Sequence, residues 1–219
     1  MTKEQLIAYK NEPTLKAMLV EEIKKHRAAD EIAQGSYGNG EGPWCAVGCS
    51  IKSLNDRLGK SYATGDHSVY EIELGIPRII ARLEDRIFEG LDKKIAADFP
   101  LRLAKAVPVG ADLSLVWPRF IVWLLIDEKD GVLKYAKKEA SVASIKRVAE
   151  LYQRTIDGQE VTVDTWKETR KNADAAYDAA AYAADAAADA YAYAYAYAAR
   201  KDFYSKCADK LIEILKSTK

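Results

Sequence analysis

The stretch AYAYAYAYAA, residues 190–199, decides the fold. Tyrosine at every second position has the period of a β-strand, whereas alanine at the others favours helix. Widening the window to 172–200, NADAAYDAAAYAADAAADAYAYAYAYAAR, resolves the conflict. The window contains neither glycine nor proline and is mostly alanine, the strongest helix former. A strand so rich in alanine would have little side chain to pack. On a wheel of about 100° per residue, Tyr177, Tyr191 and Tyr195 share one face, and Tyr182, Tyr193, Tyr197 and Tyr204 share the opposite one. The alternation is therefore two sets of i,i+4 neighbours, back to back on a helix. An eleven-residue repeat, about 3.67 residues per turn, keeps these stripes nearly straight.

Asp174, Asp178, Asp185 and Asp189 form a third stripe beside the second set of tyrosines. Only Asp174 has basic neighbours at helical spacing, Arg170 and Lys171, so the stripe is mostly unneutralised within its own helix. It is either the wet edge of a packing helix or a surface for a basic protein partner.

Elsewhere, apolar residues recur at helical spacing. Pro13–Ala29 carries Leu15, Met18, Leu19 and Ile23. Pro43–Leu58 follows a glycine-rich loop. A helix starting at Pro77 buries Ile79, Ile80, Leu83, Ile87 and Leu91, with Arg78, Arg82, Asp85, Arg86 and Glu89 as a salt-bridged exterior. Asp92–Lys105 is helical but kinked or split at Pro100. Ala111–Ile126 is apolar and broken by Pro118, and Gly131–Tyr152 is a further helix. Thr165–Ser217 is one long helix or two hinged near Arg200, with Cys207, Leu211, Ile214 and Leu215 inward. The expected fold is all-α, a single domain of about eight to ten helices. Residues 1–160 form a helical region with the candidate site, and 161–219 pack on it as the Ala/Tyr-rich helix.

The chain has 219 residues and balances 33 basic with 33 acidic side chains, which disfavours general binding to nucleic acid or anionic membrane. The longest apolar run, Phe120–Ile126, is too short to span a bilayer. The opening MTKEQLIAYKNEP does not read as a secretion signal. Three cysteines, Cys45, Cys49 and Cys207, make no disulfide framework. A cytoplasmic location follows as the expectation, the host cytoplasm if the chain is phage-encoded.

One region reads as a site: GSYGNGEGPWCAVGC, residues 35–49. Glycines ahead of a helix let backbone N–H groups converge on an anion. Gly38, Asn39, Gly40, Gly42 and Trp44 are the candidate ligand-binding residues, with charge from Arg78 or Arg82 and a stacking ring from Tyr70. There is no P-loop lysine. Cys45 falls at the helix start, where a thiolate is stabilised. His67, with Glu71 at i+4, would complete a set of nucleophile, base and orienter. The same residues admit a metal reading: zinc on Cys45, Cys49 and His67, with Asp66 or His26 as fourth ligand. Two small buried cysteines and a loop histidine bonded to backbone are the third reading.

The blocks WCAVGCSIKSLN, HSVYEIELGIPRIIARLEDRIFEGL and AVPVGADLSLV, with the alanine–tyrosine helix, resemble a little-characterised phage and bacterial family whose members are often labelled immunity proteins. The resemblance spans residues 40–215 and implies a role in phage–host or toxin–immunity conflict, without an established reaction. The expected function is a non-enzymatic binding protein that neutralises a protein effector or sequesters a small anionic ligand. A cysteine- or zinc-dependent hydrolase or transferase using Cys45 and His67, and a structural phage component with the long helix as an assembly rod, are the alternatives. No cofactor other than zinc is suggested, and a homo-oligomer is compatible with the pattern.

Overall fold

The structure, a computed structural model, describes residues 6–35, 43–171 and 192–219. The architecture is all-α. Among the described residues, extended pairing is limited to two isolated bridges, Ile7 with Asp112 and Ile32 with Trp44.

The helices are α1 (Pro13–Ala28), α2 (Ala46–Leu58), α3 (Val69–Leu74), α4 (Arg78–Gly90), α5 (Lys93–Ala96), α6 (Phe99–Ala106), α7 (Val116–Ile126) and α8 (Glu139–Ile156). They are followed by α9 (163–171) and α10 (Ala192–Ser217). Short 3₁₀ turns occupy Ala8–Asn11 and Val132–Tyr135. The alternating tyrosines from 192 onward lie on helical backbone, as alanine propensity requires. Of the two forms expected near Arg200, one long helix or a hinge, α10 has the first over Ala192–Ser217. The acidic stripe at Asp174, Asp178, Asp185 and Asp189 lies outside the described residues.

The chain divides into two compact units, residues 1–116 with 204–219, and residues 117–203. In the first, α1 packs on α2 and α6, and α2 and α6 both pack on α4. The apolar stripe expected for α10 is buried at Cys207, Leu211, Ile214 and Leu215, and that of α1 at Leu19 and Ile23, with Leu15 and Met18 half-buried. Gly90, on α4, admits the ring of Tyr204 from α10; a Cβ there would stand 2.2 Å from that ring. Pro100 sits in the first turn of α6 and so marks a helix start rather than a kink within one.

In the second unit, Trp117 Nε1 donates to Tyr152 Oη at 3.0 Å, and Tyr152 meets Trp166 with ring centroids 4.8 Å apart. Pro118 does not break the apolar run: it occupies the first turn of α7, where its missing N–H costs nothing. The helix expected from Gly131 begins instead at Glu139. Asp127 Oδ1 accepts from Lys129 N and Asp130 N, and Gly131 N bonds back to Asp127 O at 2.9 Å. This turn leaves only a 3₁₀ turn before α8.

Candidate functional site

The local sequence fixes the framework of the site. Ala33 N bonds to Trp44 O and Trp44 N to Glu31 O, both at 2.9 Å, which clamps the entry to α2. Cys45 is the N-cap of α2; its sulfur accepts from Gly48 N at 3.4 Å. The segment from 59 to 68 is tied down by Asn55, whose side chain bonds both N and O of Tyr62 at 2.9 and 2.8 Å. Asp66 Oδ1 accepts from Ser68 N and Oγ at the start of α3, and these bonds hold its pKa below the usual range. Gly75 closes α3 in the left-handed region, where a Cβ would lie 2.0 Å from Ile7 O.

Helix α4 carries the polar chemistry, but not as a salt-bridged exterior. Glu84 is 1% exposed and Asp85 is 9% exposed. Tyr70 Oη donates to Glu84 Oε2 at 2.9 Å. Burial pushes the Glu84 carboxyl up to about 8, and the neighbouring Asp85 charge adds to the rise. Arg82 and Arg86 are exposed, and among the described residues neither takes part in an ion pair or hydrogen bond.

A cavity of about 340 Å³ lies along α4, lined by His67, Arg82, Asp85, Arg86 and Glu89. His67 Nε2 stands 3.5 Å from Asp85 Oδ2, within ion-pair range but without a hydrogen bond. Among the described residues, His67 Nε2, Asp85 Oδ1 and Glu89 Oε1 are all buried without a hydrogen-bond partner. The second Glu89 oxygen accepts from Gly35 N at 2.9 Å. Burial raises the pKa of Glu89, and the Asp85 charge raises it further against that bond. Buried polar groups in folded proteins are almost always paired, so three orphaned atoms on the lining of one cavity mark it as unusual.

The expected catalytic set does not assemble. Burial pushes the Cys45 thiol up to about 12, and the Asp85 carboxylate raises it further, outweighing the N–H groups at the helix start. Cys45 is thus held as a thiol, not as a stabilised thiolate. Glu71 does not orient His67: its Oε1 accepts from Arg78 N at 2.9 Å, capping α4. Asp85 is the carboxylate beside His67 instead.

The metal set fails as well. Among the described residues, no group of three or more His, Cys, Asp or Glu side chains could hold a metal ion. Cys49 donates to the carbonyls of Glu31 and Trp44 at 3.7 and 3.8 Å, and burial also raises its thiol to about 12. His26 is satisfied by Glu31 and Ser53 at 2.6 and 2.9 Å. Asp66 caps α3.

Neither aromatic candidate for ligand binding, Trp44 or the stacking ring Tyr70, is exposed. Trp44 is 8% exposed, its ring edge-on to His26, and Tyr70 is 2% exposed. Gly38, Asn39, Gly40 and Gly42 lie outside the described residues. Of the expected ligand-binding and catalytic residues, His67 and Arg82 line the α4 cavity; Arg78 is exposed at the start of the same helix. Asp85, Arg86 and Glu89 join them although their sequence pattern suggested a solvated face. Glu84 carried a legible signal: it occupies the i+4 step between Ile80 and Ile87, inside the apolar stripe.

No protein-family model, curated protein or solved structure matches the chain. Among the described residues, no helix is long and apolar enough to cross a membrane.

Proposed function

We propose that this protein is a non-enzymatic binding protein that takes up a small anionic ligand in the α4 cavity. The observation that carries the reading is the pair Arg82 and Arg86, both on the cavity lining and both without an acidic partner among the described residues. They lie one turn apart, so two guanidinium groups serve one site, and such groups match phosphate and carboxylate oxygens in a bidentate manner. A cavity of about 340 Å³ suits a small molecule. Binding is favoured over thiol catalysis because Cys45 keeps its proton at neutral pH.

The setting proposed is the one the family resemblance implies, conflict between phage and host or between toxin and immunity, with the ligand sequestered rather than transformed. A protein effector as partner rests on Asp174, Asp178, Asp185 and Asp189 and so on the sequence alone.

Thermal unfolding in increasing inorganic phosphate, against sodium chloride at matched ionic strength, tests the reading. Phosphate stabilises the wild type with the logarithm of its concentration above the Kd and leaves the R82Q/R86Q double variant unmoved. A ligand at a hundred times its Kd adds about 2.7 kcal/mol. Equal curves in phosphate and chloride, or an equal phosphate effect on the double variant, contradict it.

A further inference from the structure

The α4 cavity presents two kinds of unmet demand on one stripe of helix. Arg82 and Arg86 are donors without acceptors among the described residues. Among the described residues Asp85 Oδ1 and Glu89 Oε1 are acceptors without donors, and His67 Nε2 beside them has no hydrogen-bond partner either. Arg82 stands three residues before Asp85, and Arg86 three before Glu89, a spacing at which opposite charges on a helix ordinarily meet. Here neither pair forms. The acidic groups are drawn inward: Asp85 is 9% exposed, and Glu89 is held by Gly35 N, while both arginines are exposed. The two kinds of group alternate along the helix and differ in depth, with the carboxyl oxygens buried and the arginines exposed.

A simple anion would satisfy the arginines and leave the buried oxygens orphaned, at a cost for each such group. It would also bring negative charge towards two carboxyl groups. A ligand with an anionic end and an amine end meets both demands. We infer that the ligand is a small zwitterion: its phosphate or carboxylate lies on Arg82 and Arg86, and its protonated amine donates to Asp85 Oδ1 and Glu89 Oε1. This inference rests on the α4 cavity being an anion-binding site, and it names the second half of the ligand. His67 lines the same end, its Nε2 3.5 Å from Asp85 Oδ2.

Calorimetric titration of the full chain with aminoalkyl phosphates of two to four methylenes, and with alkyl phosphates of matched length, separates the two layers. The aminoalkyl phosphate of best length is expected to bind at least about ten-fold tighter than its amine-free match, the worth of a charge-assisted bond. Asp85→Asn and Glu89→Gln each abolish that advantage while leaving alkyl phosphate binding in place. Either variant serves alone if the other does not fold, as judged by circular dichroism. R82Q/R86Q removes both ligands. Equal affinities for the matched pairs, or an advantage that survives in D85N and E89Q, overturn the zwitterion and leave the anion site standing. Failure of both series to bind the wild type overturns the anion site and the zwitterion together.

Discussion

Replacing Glu84 by Gln should stabilise the protein increasingly as pH rises. Unfolded, the carboxyl titrates near its ordinary 4.5; folded, burial carries it to about 8. Between those values the unfolded chain has released a proton that the folded chain keeps. Folding stability therefore falls as pH rises, by about 1.4 kcal/mol per unit. At pH 7 the loss amounts to about 3 kcal/mol, and by pH 8 to about 4 kcal/mol, both of order-of-magnitude weight. Gln reproduces the shape and polarity of the protonated acid and can still accept from Tyr70 Oη, whose bond to Glu84 is 2.9 Å. The variant should therefore lie within about 1 kcal/mol of the wild type at pH 5 and exceed it progressively towards pH 8. Glu89, shifted in the same direction, leaves a shallower residual slope in the variant. Asp66 and Glu22, whose pKa values are lowered, contribute stability that is lost only as pH falls below the ordinary carboxyl range. Urea denaturation at half-unit steps from pH 5 to 8 reads the effect. A wild type of constant stability over that window, or a Gln variant weaker than wild type at pH 8, refutes the argument.

Further outcomes follow from the same structure. With Cys45 and Cys49 raised to about 12, iodoacetamide at pH 8 should alkylate both in the native protein on the order of a thousandfold more slowly than a free thiol; rapid labelling of Cys45 contradicts its assignment. Gly75→Ala should destabilise far more than Gly59→Ala. Both glycines have positive φ, worth about 1–2 kcal/mol against alanine, but only Gly75 faces a backbone oxygen at 2.0 Å; equal losses in urea denaturation would remove the close approach of Ile7. Leu211→Ala, at a fully buried site on α10, should cost about 2–5 kcal/mol, and a loss below about 1 kcal/mol would place that helix outside the core.

Helical identity was legible because it depends on local composition and period. Alanine propensity overrides the two-residue spacing of the tyrosines, and α10 is helical where the spacing alone suggests a strand. A helix after the glycine-rich loop was legible too, although it begins at Ala46, with Cys45 as its cap, rather than at Pro43. Its chemistry was not. A helix start lowers a thiol pKa only if water or cations attend it, and here the surroundings are buried and anionic. A wheel ranks polar faces without saying which are covered, so Arg82, Asp85, Arg86 and Glu89 read as one exterior. In the fold α2, α3 and α6 all contact α4, and Asp85 goes inward with Glu84. The His67–Asp85 pairing joins residues eighteen apart, and helical spacing alone has no means of linking them.

Arginine side-chain NMR tests the central claim most directly. The Nε–Hε signals of Arg82 and Arg86 are followed during titration with ethyl phosphate, with Arg57 and Arg102, paired to Glu22 and Asp209, as internal references. The account predicts saturable shifts of Arg82 and Arg86 together, with one apparent affinity and the paired arginines still. Shifts of similar size at all four, or none at Arg82 and Arg86, would contradict an anion site on α4.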